Sequence, residues 1–248
     1  MSEPRRDELA QNPLLPHFTG IRAVFFDAVG TVIFPNPTIT EIYGDVAVRH
    51  GGQRKPLDEL RQSFARSFAE QETVDITLNW RTSDARERER WQIIVASSLD
   101  DVTNPDAAFE ELYQHFSRGA AWRVPTGIAG VLDSMQSRGL ILGMGSNYDS
   151  RLIQVMDELT ELRLLRDRLV ISSLVGCRKP AKAFFEAVIA RAGVPAESIL
   201  FVGDDLQNDL QGAQAAGLQA VLLDPNQRGP LDQPRIQDLT DLLTVIRD

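Results

Sequence analysis

The chain is poor in the residues that build covalent staples or permanent metal cages. A single cysteine, Cys177, in 248 residues excludes a disulfide framework and any cysteine-based zinc site. The three histidines, His17, His50 and His115, are scattered at spacings that supply no ligand set. No uncharged apolar run approaches about 18 residues, so no membrane span is expected. Met1 to Gln11 is charged and lacks the apolar stretch of a signal peptide, which makes a reducing cytoplasm the default expectation. Basic residues are in deficit, with 26 Lys and Arg against 35 Asp and Glu, a formal charge of −9. Such a balance argues against nucleic acid or an anionic membrane face as the main partner. It leaves room for a small anionic substrate in a locally positive pocket.

What is present divides by hydrophobic period. Residues 1–20, with three prolines and several charges, read as an N-terminal tail or loose strap. Ala23-Val24-Phe25-Phe26 is continuously apolar, as in a strand covered on both faces of a parallel sheet. Residues 38–120 read as helices. Thr38 and Glu41 have capping-box spacing, Pro56 opens a second helix, Ser83 caps a third and Asn104-Pro105 starts a fourth. The alternating charges from Arg86 to Arg90 are most simply a solvated helix face. From residue 122 onward, strand-length apolar runs at 140–144, 169–172, 199–202 and 220–223 alternate with helical segments, and a helix over about 239–246 closes the chain. The expectation is an α/β fold, a parallel sheet with helices on both faces. The first strand joins this later group, so a core of 21–37 and 121–248 carries the helical block as an insert.

Ligands of open parallel sheets bind beyond the carboxyl ends of the strands. Asp27 follows the first strand, Ser146 and Asn147 the second, and Lys179-Pro180 lies a short loop past the third. Gly203, Asp204 and Asp205 follow the fourth, with Asp209 one helical turn later. Each type has a role in phosphoryl chemistry. A carboxylate at Asp27 can be a nucleophile, and Asp27 with Asp204 makes a hard oxygen site suited to Mg²⁺. Lys179 and the Ser146 hydroxyl can hold phosphate oxygens. Each also has a bland reading: Asp27 and Ser146-Asn147 as turn or cap residues, Lys179 as a surface charge, Asp204 and Asp205 as first-turn acids. Their occurrence in order, each at the same end of its own strand, favours one shared site.

Phe25-Phe26-Asp27-Ala28-Val29-Gly30-Thr31-Val32 resembles the first motif of the haloacid dehalogenase superfamily. Gly145-Ser146-Asn147 is similar to its second motif, Lys179-Pro180 to its third, and Gly203-Asp204-Asp205-Leu206-Gln207-Asn208-Asp209 to its fourth. Ser-Asn-Tyr-Asp-Ser-Arg at 146–151 resembles the branch named for haloacid dehalogenase-like hydrolase domain-containing protein 3. The resemblance implies a Rossmann-like core, a helical cap at 38–120, and an aspartate nucleophile at Asp27. It implies Mg²⁺ held by Asp27, Asp204 and the backbone carbonyl of Val29, with Asp205 or Asp209 supporting the metal's water shell. Substrate contacts are implied for Ser146, Asn147 and Lys179, and Thr31 steadies the first loop beside them.

One position departs from the pattern. Most phosphatases of the superfamily carry a second aspartate two residues after the nucleophile, as general acid for the leaving oxygen. Here Val29 stands there, and it cannot transfer a proton. A positioned acid contributes about 10²–10⁴-fold, so alkyl phosphates are expected to be poor substrates. Three readings follow: a Mg²⁺-dependent phosphatase adequate on aryl or acyl phosphates, a metal-independent haloacid dehalogenase, or a phosphate- and metal-binding regulatory protein of low activity. Asp204 favours the first, because dehalogenases typically have Ser and Asn where this chain has Gly203-Asp204. Gly143-Met144-Gly145 lacks a third glycine, which removes dinucleotide binding. Arg49, Trp80, Arg81 and Arg123 are candidate cap or hinge contacts to substrate. Nothing marks Cys177 as a nucleophile.

Overall fold

Ala23-Val24-Phe25-Phe26 is apolar at every position because the strand it forms is covered on both sides. In the computed structural model, which describes residues 15–230 and 232–247, this is β1 (Ala23–Phe26), buried throughout. Val24 and Phe26 pack into one apolar cluster, Ala23 and Phe25 into another. That is the two-residue alternation of a pleated strand expressed on two faces.

The chain then runs through β2 (Phe34–Pro35), α1 (Ile39–Arg49), α2 (Leu57–Thr77), α3 (Asp84–Ser98), α4 (Pro105–His115) and β3 (Trp122–Arg123). β2 and β3 pair antiparallel, so the strands flanking the helical block lie side by side. Afterwards come α5 (Ile128–Ser137), β4 (Ile141–Ser146), α6 (Arg151–Glu158), β5 (Leu169–Ile171), α7 (Ser172–Val175), α8 (Lys182–Ala192) and β6 (Ile199–Gly203). A π-helical turn at Leu206–Gln211 leads into α9 (Gly212–Ala215), followed by β7 (Gln219–Leu223), β8 (Arg235–Ile236) and α10 (Leu242–Val245). Six strands form one parallel sheet in the order β5-β4-β1-β6-β7-β8. β1 sits inside, between β4 and β6, so the chain's connections diverge to its two sides and leave a crevice at its carboxyl end.

Helices α1 to α4 share a core of their own, including Tyr43, Val46, Leu60, Val95, Leu99, Phe109 and Leu112. Thr38 accepts from the Glu41 N–H while Glu41 reaches back to the Thr38 N–H, the reciprocal cap its spacing predicts.

Several expectations need correction. β4 continues to Ser146, because β5 pairs with it as far as that residue. The two-residue strands β2, β3 and β8 carry too few residues to show a period. The closing helix is shorter than its apolar spacing suggests, a 3₁₀ turn at Leu239–Asp241 preceding α10. Of the expected N-terminal tail, 1–14 lie outside the described residues. Phe18, in the remainder, is buried, its N–H donating to the Val245 carbonyl at 2.8 Å, so this stretch is docked rather than loose.

Candidate active site

The carboxyl edge of the sheet gathers the polar residues that the strand ends deliver. The Asp27 N–H donates to the Val202 carbonyl of β6 at 2.8 Å, which sets the backbone just past β1. Ser146 ends β4 and Asp204 directly follows β6. Asp27, Val29, Ser146, Asn147, Lys179, Asp204, Asp205 and Asp209 line one cavity of about 190 Å³.

Lys179 is the hub of its floor. Its Nζ donates to Asp27 Oδ1 at 2.5 Å, Asp209 Oδ1 at 2.6 Å and the Gly145 carbonyl at 3.2 Å. The Asn147 side chain holds the lysine's backbone, Nδ2 donating to the Lys179 carbonyl at 3.1 Å and Oδ1 accepting the Lys179 N–H at 2.7 Å. Asn147, which lines the cavity, thus also positions Lys179. Thr31 is fully buried, and its hydroxyl donates to Asp204 Oδ1 at 3.1 Å. Asp205 and Asp209 part company. Asp209 Oδ2 accepts the Asp205 N–H at 3.0 Å, so both its oxygens are engaged. The Asp205 carboxylate instead caps the π-helical turn, Oδ1 accepting from Gln207 and Asn208 at 2.9 and 2.7 Å.

Asp27, Asp204 and Asp209 each present an oxygen within 4.8 Å of the others. Burial pushes the Asp27 carboxyl up and the Asp204 charge adds to this, while Lys179 pulls it down. Burial, with Asp209 beside it, pushes Asp204 up to about 6, and burial with Asp27 beside it pushes Asp209 up to about 6. Burial opposes the Lys179 charge, but Asp209 and Asp27 outweigh it and hold the ammonium above its usual range. Three carboxylates around one ammonium are deficient in positive charge, and hard oxygen donors in that state fit a divalent cation.

The first loop has little freedom. Gly30 has φ 98°, and a Cβ there would overlap the Asp204 carboxylate. Gly30→Ala is expected to lower stability by about 1–2 kcal/mol through the backbone alone. Thermal unfolding checks this, and an unchanged midpoint would show that the loop moves freely.

The opposite wall comes from the helical block; of the charges expected on a solvated face, Arg88 and Glu89 are solvated but Glu87 and Arg90 are not. Glu87 and Arg90 are both 1% exposed. They join a charged cluster around fully buried Asp75, which receives Arg86 Nη2 and Arg90 Nε at 3.0 Å each and Arg178 Nε at 3.4 Å. Arg178 Nη1 also pairs with Glu87, which accepts the Thr82 hydroxyl at 2.7 Å. The cluster thus ties α2 and α3 to the residue preceding Lys179. Phe68, Glu72, Arg90, Arg178 and Asn208 line the same cavity as Asp27. Sequence reasoning missed them, although a signal exists. Extending the Trp91–Ile94–Val95 stripe toward the N-terminus puts Glu87 and Arg90 on the inward face, and Phe68 shares its face with Glu72 and Asp75. Arg49 pairs with Glu111 on the surface and Arg123 stacks on Phe34. Neither of them, nor Trp80 nor Arg81, lines the cavity.

Among the described residues, no helix is long and apolar enough to cross a membrane. The sequence model of a haloacid dehalogenase-like hydrolase matches residues 21–217. Haloacid dehalogenase-like hydrolase domain-containing protein 3 of Mus musculus is 28% identical over 223 residues, covering 88% of this chain and 87% of that one. A HAD phosphatase from Thermococcus onnurineus has a similar fold, with TM-score 0.65 and 22% identity over 91% of this chain and 97% of that one. So does an L-2-haloacid dehalogenase from Xanthobacter autotrophicus with chloropropionic acid covalently bound, with TM-score 0.68 and 16% identity over 91% and 98%. With its sheet order, its four strand-end motifs and a match across most of its length, the chain belongs to the haloacid dehalogenase-like hydrolases, in the branch of domain-containing protein 3.

Proposed function

We propose that this hydrolase is a Mg²⁺-dependent phosphatase of small phosphorylated molecules, working through an aspartyl-phosphate at Asp27. The observation that carries the reading is the meeting of Asp27, Asp204 and Asp209 within 4.8 Å, around a buried ammonium, on the floor of one cavity. Asp27 and Asp204, with the Val29 carbonyl, would hold the cation. When bound, Mg²⁺ supplies charge neutralisation between the carboxylates and an incoming phosphate dianion. Asp209, with both oxygens engaged, supports this arrangement and keeps Lys179 in place.

The steps of the chain's own residues follow from these positions. One Asp27 oxygen attacks phosphorus, and the P–O bond to the leaving group breaks, its electron pair departing with that oxygen. Lys179, through its charge, and the Ser146 hydroxyl steady the phosphoryl oxygens as charge shifts among them. Water then attacks the aspartyl-phosphate, releasing inorganic phosphate and restoring the carboxylate. Val29 lines the cavity and offers no proton, so the leaving oxygen takes its proton from water. Good leaving groups, aryl or acyl, are the favoured substrates. The helical block, with its own core and one wall of the cavity, acts as the cap that selects them.

The apolar residue at position 29 also suits a dehalogenase, in which Asp27 attacks carbon and halide leaves unprotonated. The two readings separate in one assay. Phosphate release from phenyl phosphate and acetyl phosphate is expected to need Mg²⁺ and to stop with EDTA. Halide release from L-2-chloropropionate in EDTA, without phosphate release in Mg²⁺, overturns the phosphatase reading.

A further inference from the structure

The charged cluster behind the cavity wall leaves a buried donor of Arg90 unmet. Arg86, Arg90 and Arg178 meet buried Asp75 and Glu87, Arg86 also approaches the exposed Glu89 at 3.7 Å, and Glu72 lines the cavity beside Arg90. Arg178 divides itself between both carboxylates. Arg90 gives its Nε to Asp75 and lays its guanidinium 4.3 Å from the centre of the Phe68 ring. Its Nη2 is fully buried and, among the described residues, has no acceptor. A guanidinium donor left unmet in the interior is costly unless something completes it. Arg90 and Phe68 both line the cavity that holds Asp27 and Lys179.

We propose that Arg90 recognises a second anionic oxygen group on the substrate, so that the preferred compounds are short phosphorylated molecules ending in a carboxylate or another phosphate. The inference rests on the phosphatase reading of Asp27 and adds to it the class of substrate. Charge agrees with this. With a divalent cation on the floor, the carboxylates there are offset, and Arg90 brings a positive charge to the helical wall opposite. Glu72 is the acidic group on that wall. It is half-buried; burial pushes its carboxyl above the usual range while Arg90 beside it pulls it down.

Calorimetric titration of the Mg²⁺-loaded protein with non-hydrolysable phosphonates tests the inference without turnover. The probes are propylphosphonate, 3-phosphonopropionate, propane-1,3-bisphosphonate and 3-aminopropylphosphonate. The wild type is expected to bind 3-phosphonopropionate, propane-1,3-bisphosphonate or both about tenfold more tightly than propylphosphonate, the effect of one charge-assisted pair. Whether the carboxylate or the bisphosphonate leads identifies the second group. Arg90→Gln is expected to remove that preference, and Arg90→Lys, with charge but no planar fork, to keep part of it. Glu72→Gln is expected to widen it. If the Arg90 variants do not fold, the wild-type ranking and Glu72→Gln decide. Equal binding of all four probes overturns this inference alone, as does a full preference retained in folded Arg90→Gln. Tightest binding of 3-aminopropylphosphonate overturns it in favour of Glu72 and an ammonium. No binding of any phosphonate overturns the phosphatase reading together with it.

Discussion

Asp27→Asn is expected to lower phosphate release from phenyl phosphate by about 10³-fold or more while leaving the protein folded. A neutral amide oxygen is a far poorer nucleophile than a carboxylate, and water alone must then attack phosphorus. The fold should not suffer, and the sign of the electrostatics says why. The folded state raises the Asp27 pKa, mainly by burial, so it binds that proton more readily than the unfolded chain does. The ionised carboxylate therefore weakens the metal-free fold as pH rises above the unfolded value. Asparagine removes that penalty and still offers Lys179 an oxygen in place of Oδ1. In EDTA at neutral pH, its unfolding midpoint is expected to equal or exceed that of the wild type. A lost rate at an undiminished midpoint assigns the defect to chemistry. Equal rates for the two proteins at matched, background levels would move the assignment to the binding-protein reading.

Val29→Asp is expected to improve turnover of an alkyl phosphate by about 10²-fold and to change that of phenyl phosphate much less. Phenolate departs from an acid of pKa about 10, whereas an alkoxide departs from one near water's value of about 15.7. Only the second needs a proton delivered as the bond breaks. Position 29 is suited to deliver it, since its side chain lines the cavity and its backbone is bridged to Ile33. The substitution nearly conserves volume but adds a carboxylate to a site that already holds three, so rates belong in saturating Mg²⁺. The measurement is the ratio of alkyl to aryl kcat/KM in the two proteins. A ratio unchanged in a folded variant shows that a side chain at position 29 does not reach the leaving oxygen.

Much of the sheet was legible because its signals are local. Continuous apolar runs mark strands covered on both faces, and Asp27, Ser146 and Asp204 each stand at the end of such a run. The order of strands is not local, yet a lone first strand with no nearby partner had to join the later group. Other features gave no signal of their own. Two residues cannot show a period, so β2, β3 and β8 passed unseen. Asp205 and Asp209 are equally acidic in sequence, and only the turn geometry decides that the first caps backbone N–H groups while the second meets Lys179. The bonds that Asn147 makes to the Lys179 backbone and Thr31 to Asp204 join residues far apart in the chain and have no local signal.

The charges of Arg86 to Arg90 mark the boundary most clearly. By itself the sequence determined that these residues lie on a helix and that hydrophobic stripes run along α2 and α3, since periodicity depends only on neighbours a few residues away. It also determined which functional groups arrive at the strand ends. Tertiary structure alone decided that Asp75, Glu87, Arg90 and Arg178 would be buried together. The reason is physical: a charge is tolerated inside only when a partner meets it there, and Arg178 lies 91 residues from Glu87 in the chain. No local pattern contains that distance, and it is this meeting that puts Arg90 on the wall facing Asp27.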